Sequence, residues 1–154
     1  LKGAILLLLF ISYIRKMKIA IINGPNLNLL GKREVGIYGT ESFENYFNSL
    51  QLKYPLVEFS YFQSNIEGEI VSELQRVGYI ADGIILNPAA YTHTSVAIGD
   101  AIAAITAPLV EVHISNIFDR EEFRKISYIS AKAVGVISGL GMKGYELALS
   151  YFLK

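Results

Sequence analysis

Four side chains are spaced so that they could move protons in pairs, and they fall in two separate stretches. The first stretch, 23–39, reads NGPNLNLLGKREVGIYG and holds Arg33 and Tyr38 five residues apart. A tyrosine with an ordinary pKa near 10 is about three units from useful basicity at neutral pH, a cost of roughly 4 kcal/mol. An arginine at about 4 Å supplies something of that order at an effective dielectric of about 20. Arg33 folded close to Tyr38 therefore makes the phenol a working base. The competing arrangement has Tyr38 anchoring the loop while Arg33 pairs with Glu34.

The second stretch, 109–116, reads LVEVHISN. In a strand, alternation puts Glu111 and His113 on one face. A carboxylate two residues away holds an imidazole in one tautomer and favours its charged form, as a general acid requires. The plainer alternative is a strand-end histidine satisfied by a neighbour. The other of the two histidines, His93, lies in YTHTS just ahead of a helix start, where Thr94 or Ser95 caps and the helical amides favour an anion. Asp100, two turns into that helix among Ala97, Ile98, Ala101 and Ile102, reads as an acid in need of a partner, from this chain or a neighbouring one. No HxH or HxxxH spacing supports a metal site, and with no cysteine there is neither disulfide nor thiolate chemistry.

The elements that must position these groups alternate strictly. Apolar strand-like runs at 18–22, 56–62, 83–86, 109–114 and 134–137 are separated by helical patterns. The first helix starts after Ser42 with Phe43, Tyr46, Phe47 and Leu50 on one face, and ends at Pro55. Ile70, Val71, Leu74 and Val77 stripe a second helix closed by Gly78. A third runs from Thr94 or Ser95 to Ile105, a fourth is expected over 120–131, and Tyr145, Ala148, Leu149 and Phe152 mark a last one. Such alternation implies right-handed crossovers and an α/β three-layer sandwich around a five-stranded parallel sheet. The expected strand order is the flavodoxin-like 2-1-3-4-5, with ligands outside the carboxyl ends of the strands near the switch between the first and third. The loop after 18–22, Asn87 after 83–86, and His113, Ser115 and Asn116 at the end of 109–114 all converge on that rim.

The composition bounds the rest. The 154 residues suit one domain with a proper core. Hydrophobic residues make up 52 % and charged residues 18 %, which points to apolar surface covered in an oligomer or to an apolar tail. Fourteen basic and fourteen acidic residues cancel, so no global field draws nucleic acid or an acidic membrane. Residues 1–16 stand apart as an apolar run between Lys2 and Arg15-Lys16, too short to span a bilayer, which needs about 20 residues. A signal-like core is possible in length but lacks a small-x-small cleavage site. The expectation is an N-terminal extension outside the native fold, ahead of a domain at 17–154.

Three long motifs together resemble the type II 3-dehydroquinate dehydratases: the 23–39 stretch, LNPAAYTHTSVAIGDAI at 86–102, and EVHISNIFDREEFRKISY at 111–128. The similarity runs from about Met17 to the C-terminus and includes GLGMKGYELAL at 139–149. It implies a flavodoxin-like fold, a dodecamer built as four trimers, and a cytoplasmic enzyme of aromatic biosynthesis or quinate breakdown with no metal or other cofactor. The implied reaction is the anti dehydration of 3-dehydroquinate to 3-dehydroshikimate through an enolate-like intermediate. By the same resemblance Tyr38 is the base, Arg33 depresses its pKa, and Asn26 holds a water on the enolate oxygen. His113 is the general acid and Glu111 orients it. Asn87 and the backbone amides of Ile114 and Ser115 take the substrate carboxylate, and His93 and Arg124 the ring hydroxyls. Asp100 reaches the site of the next subunit, and Arg120 belongs to the family's mobile loop region.

Two departures stand out. Pro88-Ala89-Ala90 replaces a stretch where many members carry glycine, and Gly99 is a weak helix former beside Asp100. The alternative function is an inactive flavodoxin-like module binding FMN or a phosphorylated ligand. It fits poorly, because NGPNLNLLG has no hydroxyls to cradle a phosphate.

Overall fold

The computed structural model describes residues 15–32 and 41–153. Five strands are all parallel: β1 (Met17–Asn23), β2 (Val57–Gln63), β3 (Gly83–Asn87), β4 (Leu109–His113) and β5 (Gly135–Ser138), in the order β2-β1-β3-β4-β5. The α-helices among the described residues are α1 (Phe43–Lys53), α2 (Glu67–Val77), α3 (Val96–Ala104) and α4 (Lys143–Phe152). This is the three-layer arrangement and strand order expected from the alternation.

Strand parity sorts the core into two layers. Ile19, Ile21, Ile85, Val110 and Val112 face α1 and α4, where they meet Phe43, Leu50, Tyr145 and Leu149. Ala20, Ile22, Ile84, Leu86 and Leu109 face α2 and α3, meeting Ile70, Leu74, Ile98 and Ile102. β3 and β4 are buried along their whole length, which is why β3 reads as an apolar run and why Glu111 and His113 on β4 must find partners.

Local chemistry sets the helix limits. The Ser42 hydroxyl accepts from the Asn45 N–H at 3.2 Å and the Ser95 hydroxyl from the Ile98 N–H at 2.9 Å, so both serines cap as N-terminal residues should. Of the two candidates ahead of α3, Ser95 is the cap. Gly78 closes α2.

The helix expected over 120–131 is not α-helical. The segment folds as 3₁₀ turns at Ile117–Asp119, Glu122–Lys125 and Ser130–Lys132. Its polar groups bond elsewhere: the Tyr128 N–H donates to the Thr92 carbonyl at 2.9 Å, and the Ser127 hydroxyl accepts from the N–H groups of Ile129 and Ser130. Side-chain bonds of this kind offer the backbone an alternative to the i→i−4 ladder. A tie to the 89–93 turn replaces the expected helix.

Candidate active site

The carboxyl ends of β1, β3 and β4 open on a cavity of about 150 Å³. Its wall from β1 carries Pro25 and Asn26, its β3 wall Asn87, and its floor at the end of β4 His113, Ile114 and Ser115. His93, Arg120 and Arg124 close the remaining side. Eight of the twelve residues proposed from sequence thus face one cavity. Glu111 lies directly behind His113. Asp100 is exposed on α3 and does not line this cavity within one chain. Arg33 and Tyr38 lie outside the described residues.

The Glu111–His113 pair is the electrostatic centre. His113 Nε2 is 2.7 Å from Glu111 Oε1, and both side chains are buried. Same-face alternation on β4 produces this contact without any loop. Glu111 is also held by two hydroxyls: Thr92 donates to Oε1 and Ser130 to Oε2, each at 2.5 Å. Burial alone pushes the Glu111 carboxyl up, but the bonds from His113, Ser130 and Thr92 outweigh it and hold the carboxyl below its ordinary value. A buried carboxylate so saturated with donors stays anionic and rigid. With Nε2 turned to Glu111, Nδ1 is the ring nitrogen left to face a ligand.

His93 is set differently. Its Nδ1 is 2.7 Å from the Ile126 carbonyl, and since a carbonyl only accepts, Nδ1 carries the proton. Burial lowers the His93 pKa, and the charges of His113 and Arg124 add to that, so the ring is neutral at pH 7. Neutral with Nδ1–H committed, it offers Nε2 as an acceptor, which suits a ligand hydroxyl. Arg124 is braced by Glu121 at 2.6 Å and lies over the Phe123 ring, 4.9 Å from its centroid. Its guanidinium is therefore aimed by its own turn.

Two close approaches of backbone shape the rim. Gly24 sits so near the next crossover that a Cβ there would meet the Pro88 carbonyl oxygen at 2.5 Å. The Gly24 N–H donates to the Asn87 carbonyl at 2.7 Å, clasping the ends of β1 and β3. Gly99 has the same constraint toward the Tyr128 carbonyl oxygen, at 2.7 Å. Its presence in α3 is thus a packing requirement. Asp100 likewise does not sit in an apolar setting, because the helix turns it outward. Asn26 takes a left-handed conformation (φ 67°), with its N–H donating to Asn65 Oδ1 at 2.9 Å.

Several residues that build the site carried no sequence signal of their own. Thr92 and Ser130 hold Glu111 from two distant segments, the Ser127 hydroxyl bonds both of theirs, and Tyr145 reaches the rim from α4. YTHTS and KISYIS are hydroxyl-rich, but nothing in their spacing pairs them with each other.

A parallel α/β sheet whose strand ends carry a buried acid–base pair, a cationic wall and clustered amides defines an enzyme for proton transfer on a small polar ligand. The chain belongs to the class II dehydroquinase family, whose model matches residues 17–153. It is 55 % identical over 135 residues to the 3-dehydroquinate dehydratase of Aliarcobacter butzleri, a match covering 86 % of this chain and 82 % of that one. The Nitrosomonas europaea 3-dehydroquinate dehydratase is 52 % identical over 140 residues, covering 88 % and 96 %. Among solved structures, the type II dehydroquinase of Butyrivibrio crossotus superposes with a TM-score of 0.86 at 45 % identity, covering 90 % of this chain and 99 % of that one.

Proposed function

We propose that this chain is a hydro-lyase that dehydrates 3-dehydroquinate to 3-dehydroshikimate, within the shikimate pathway or quinate breakdown, at the cavity above β1, β3 and β4. The observation that carries the mechanism is the buried Glu111–His113 pair opening on that cavity. Tyr38, as tyrosinate beside Arg33, takes the proton alpha to the ketone, and the electron pair of that C–H bond moves onto the ketone oxygen as an enolate. A water held by Asn26 meets that charge as it develops. When the enolate collapses, a C=C bond forms and the beta C–O bond breaks. The departing hydroxyl takes its proton from His113 Nδ1 and leaves as water. Glu111 stabilises the imidazolium before transfer and keeps the ring aimed. Base and acid act from opposite faces, giving anti elimination. Asn87 with the amides of Ile114 and Ser115 holds the carboxylate, while His93 and Arg124 hold ring hydroxyls and Arg120 closes over the site.

The assembly is proposed as a dodecamer of four trimers in which Asp100 completes the site of the next subunit. The native fold is proposed to lie within 17–154, with 1–16 as an extension. The family match beginning at Met17 supports this, and a chain starting there is expected to keep fold and activity. The cytoplasm is the proposed location. Among the described residues no helix is long and apolar enough to cross a membrane.

The test is direct. Purified protein with 3-dehydroquinate develops the ultraviolet absorbance of the conjugated enone, and a correctly assembled protein giving no signal would sink the enzyme assignment. Tyr38→Phe is expected to leave substrate affinity largely intact and remove most of the turnover. Near wild-type turnover would assign the base elsewhere.

A further inference from the structure

The ends of β1 and β3 place Asn23 and Asn87 side by side in register, and both side chains are buried. Between them stands the hydroxyl of Tyr145, delivered by α4 from the opposite end of the chain. Asn87 Nδ2 donates to the Tyr145 oxygen at 2.9 Å, and the Tyr145 hydroxyl donates to Asn23 Oδ1 at 2.8 Å. The polarity of this chain of bonds is fixed at one end. The Ala89 N–H donates to Asn87 Oδ1 at 3.2 Å, so the other end of that amide must be its NH₂. One amide proton of Asn87 is then committed to Tyr145, and the second remains for whatever enters the cavity that Asn87 lines.

Nothing in this arrangement is needed merely to fill space. The Tyr145 ring packs against Phe43 and Tyr46, with centroids at 5.0 and 6.0 Å, and a phenylalanine would pack the same way. The hydroxyl instead sits at the switch point of the sheet, where it touches two polar side chains and one wall of the site. Burial keeps Tyr145 well above the ordinary tyrosine range, with the charges of Tyr61 and Tyr46 adding to it against the bonds from Asn87 and Asn23. It stays a neutral donor–acceptor at any working pH.

We infer that Tyr145 is a positioning residue for substrate binding: its hydroxyl, held by Asn23, turns the Asn87 amide so that an N–H faces the substrate carboxylate. This rests on Asn87 as a carboxylate ligand. Removing the hydroxyl frees the amide to rotate about χ2, and the loss falls on ground-state binding, leaving the proton transfers at His113 unaffected.

Steady-state kinetics of the assembled enzyme test it. Tyr145→Phe is expected to raise KM for 3-dehydroquinate about tenfold, the size of one directed hydrogen bond to a charged group, with kcat within about twofold. A competitive ring analogue lacking the carboxylate is expected to bind the variant as it binds the parent, a split that general loosening of the core would not produce. Asn87→Ala raises KM at least as much, and adding Tyr145→Phe to it changes nothing further. Multiplying effects, or an unchanged KM in Tyr145→Phe where Asn87→Ala raises it, overturns the positioning role alone. An unchanged KM in Asn87→Ala removes the carboxylate assignment and the inference with it. If Tyr145→Phe does not fold, Asn23→Leu removes the acceptor that orients the hydroxyl, together with the bond between Asn23 and Tyr61. It is expected to raise KM in the same way, and no rise overturns the proposal.

Discussion

At the scale of single residues, the proposed acid half of the mechanism rests on Glu111. It has no exposure, makes three charge-assisted bonds, and its carboxyl lies below the ordinary carboxylate value. Glu111→Gln keeps the shape and removes the negative charge 2.7 Å from His113 Nε2. The expected loss is in kcat, within the hundredfold to ten-thousandfold that a positioned general acid contributes, about 10²–10⁴. KM should change far less, because Glu111 does not line the cavity. Rates measured at saturating substrate check it, and a kcat within threefold of the parent would remove Glu111 from the mechanism. The pair itself was legible from period-two spacing in LVEVH. Its supporting hydroxyls were not, since Thr92 and Ser130 are 19 residues to either side of Glu111 and meet it only through tertiary packing.

At the scale of elements, the helix–strand alternation and both serine caps could be read directly, because burial on two faces and N-terminal capping leave local marks. The 120–131 segment could not. Its charges recur at helical spacing, yet the backbone is drawn off by contacts to residues 92 and 93 that lie far away in sequence. Pro88-Ala89-Ala90 has a backbone consequence that its sequence does not show: Ala89 is held at φ 52°. A left-handed residue with a Cβ costs about 1–2 kcal/mol, and glycine gives back roughly 0.5–1 through lost chain entropy. Ala89→Gly is therefore expected to stabilise the fold by about 0.5–1 kcal/mol. A raised urea midpoint at unchanged slope, measured at fixed protein concentration, checks it. A second element-level prediction concerns the clasp between α1 and α4. Glu146 takes bonds from Lys143, Lys53 and the Tyr54 hydroxyl, which together hold its pKa at about 2 against an ordinary 4.5. The folded value lies below the unfolded one. The stability gained is thus complete above pH 4.5 and disappears as pH falls through about 2. Acid titration of Glu146→Gln should show less stability at neutral pH than the parent, with the difference shrinking to nothing across that window. A constant offset at all pH values would mean packing, and not charge, is what the clasp supplies.

At the scale of the whole molecule, the proposed assembly makes a demand on the surface around α3. Phe118, Phe123, Ile126 and Tyr128 are all about half exposed or more, a density of apolar surface unusual for a protein that stays alone. That segment packs on α3 at Gly99, where the helix meets the Tyr128 carbonyl, and the next residue, Asp100, points outward. Asp100 is exposed and lies outside its own chain's cavity, which leaves it free for the role proposed above, completing the site of the next subunit. This gives Asp100 a signature that no residue acting within its own chain can imitate. Asp100→Ala and Tyr38→Phe each impair activity when every subunit carries the change. When the two variants are dissociated, mixed and reassembled, some sites combine an intact Tyr38 from one chain with an intact Asp100 from the next. Activity is therefore expected to rise well above that of either parent, toward a ceiling set by the fraction of such junctions, while a mass measurement reports the same assembly throughout. Mixed oligomers no more active than the average of their parents would confine Asp100 to its own subunit and leave the apolar surface without a catalytic reason for being covered.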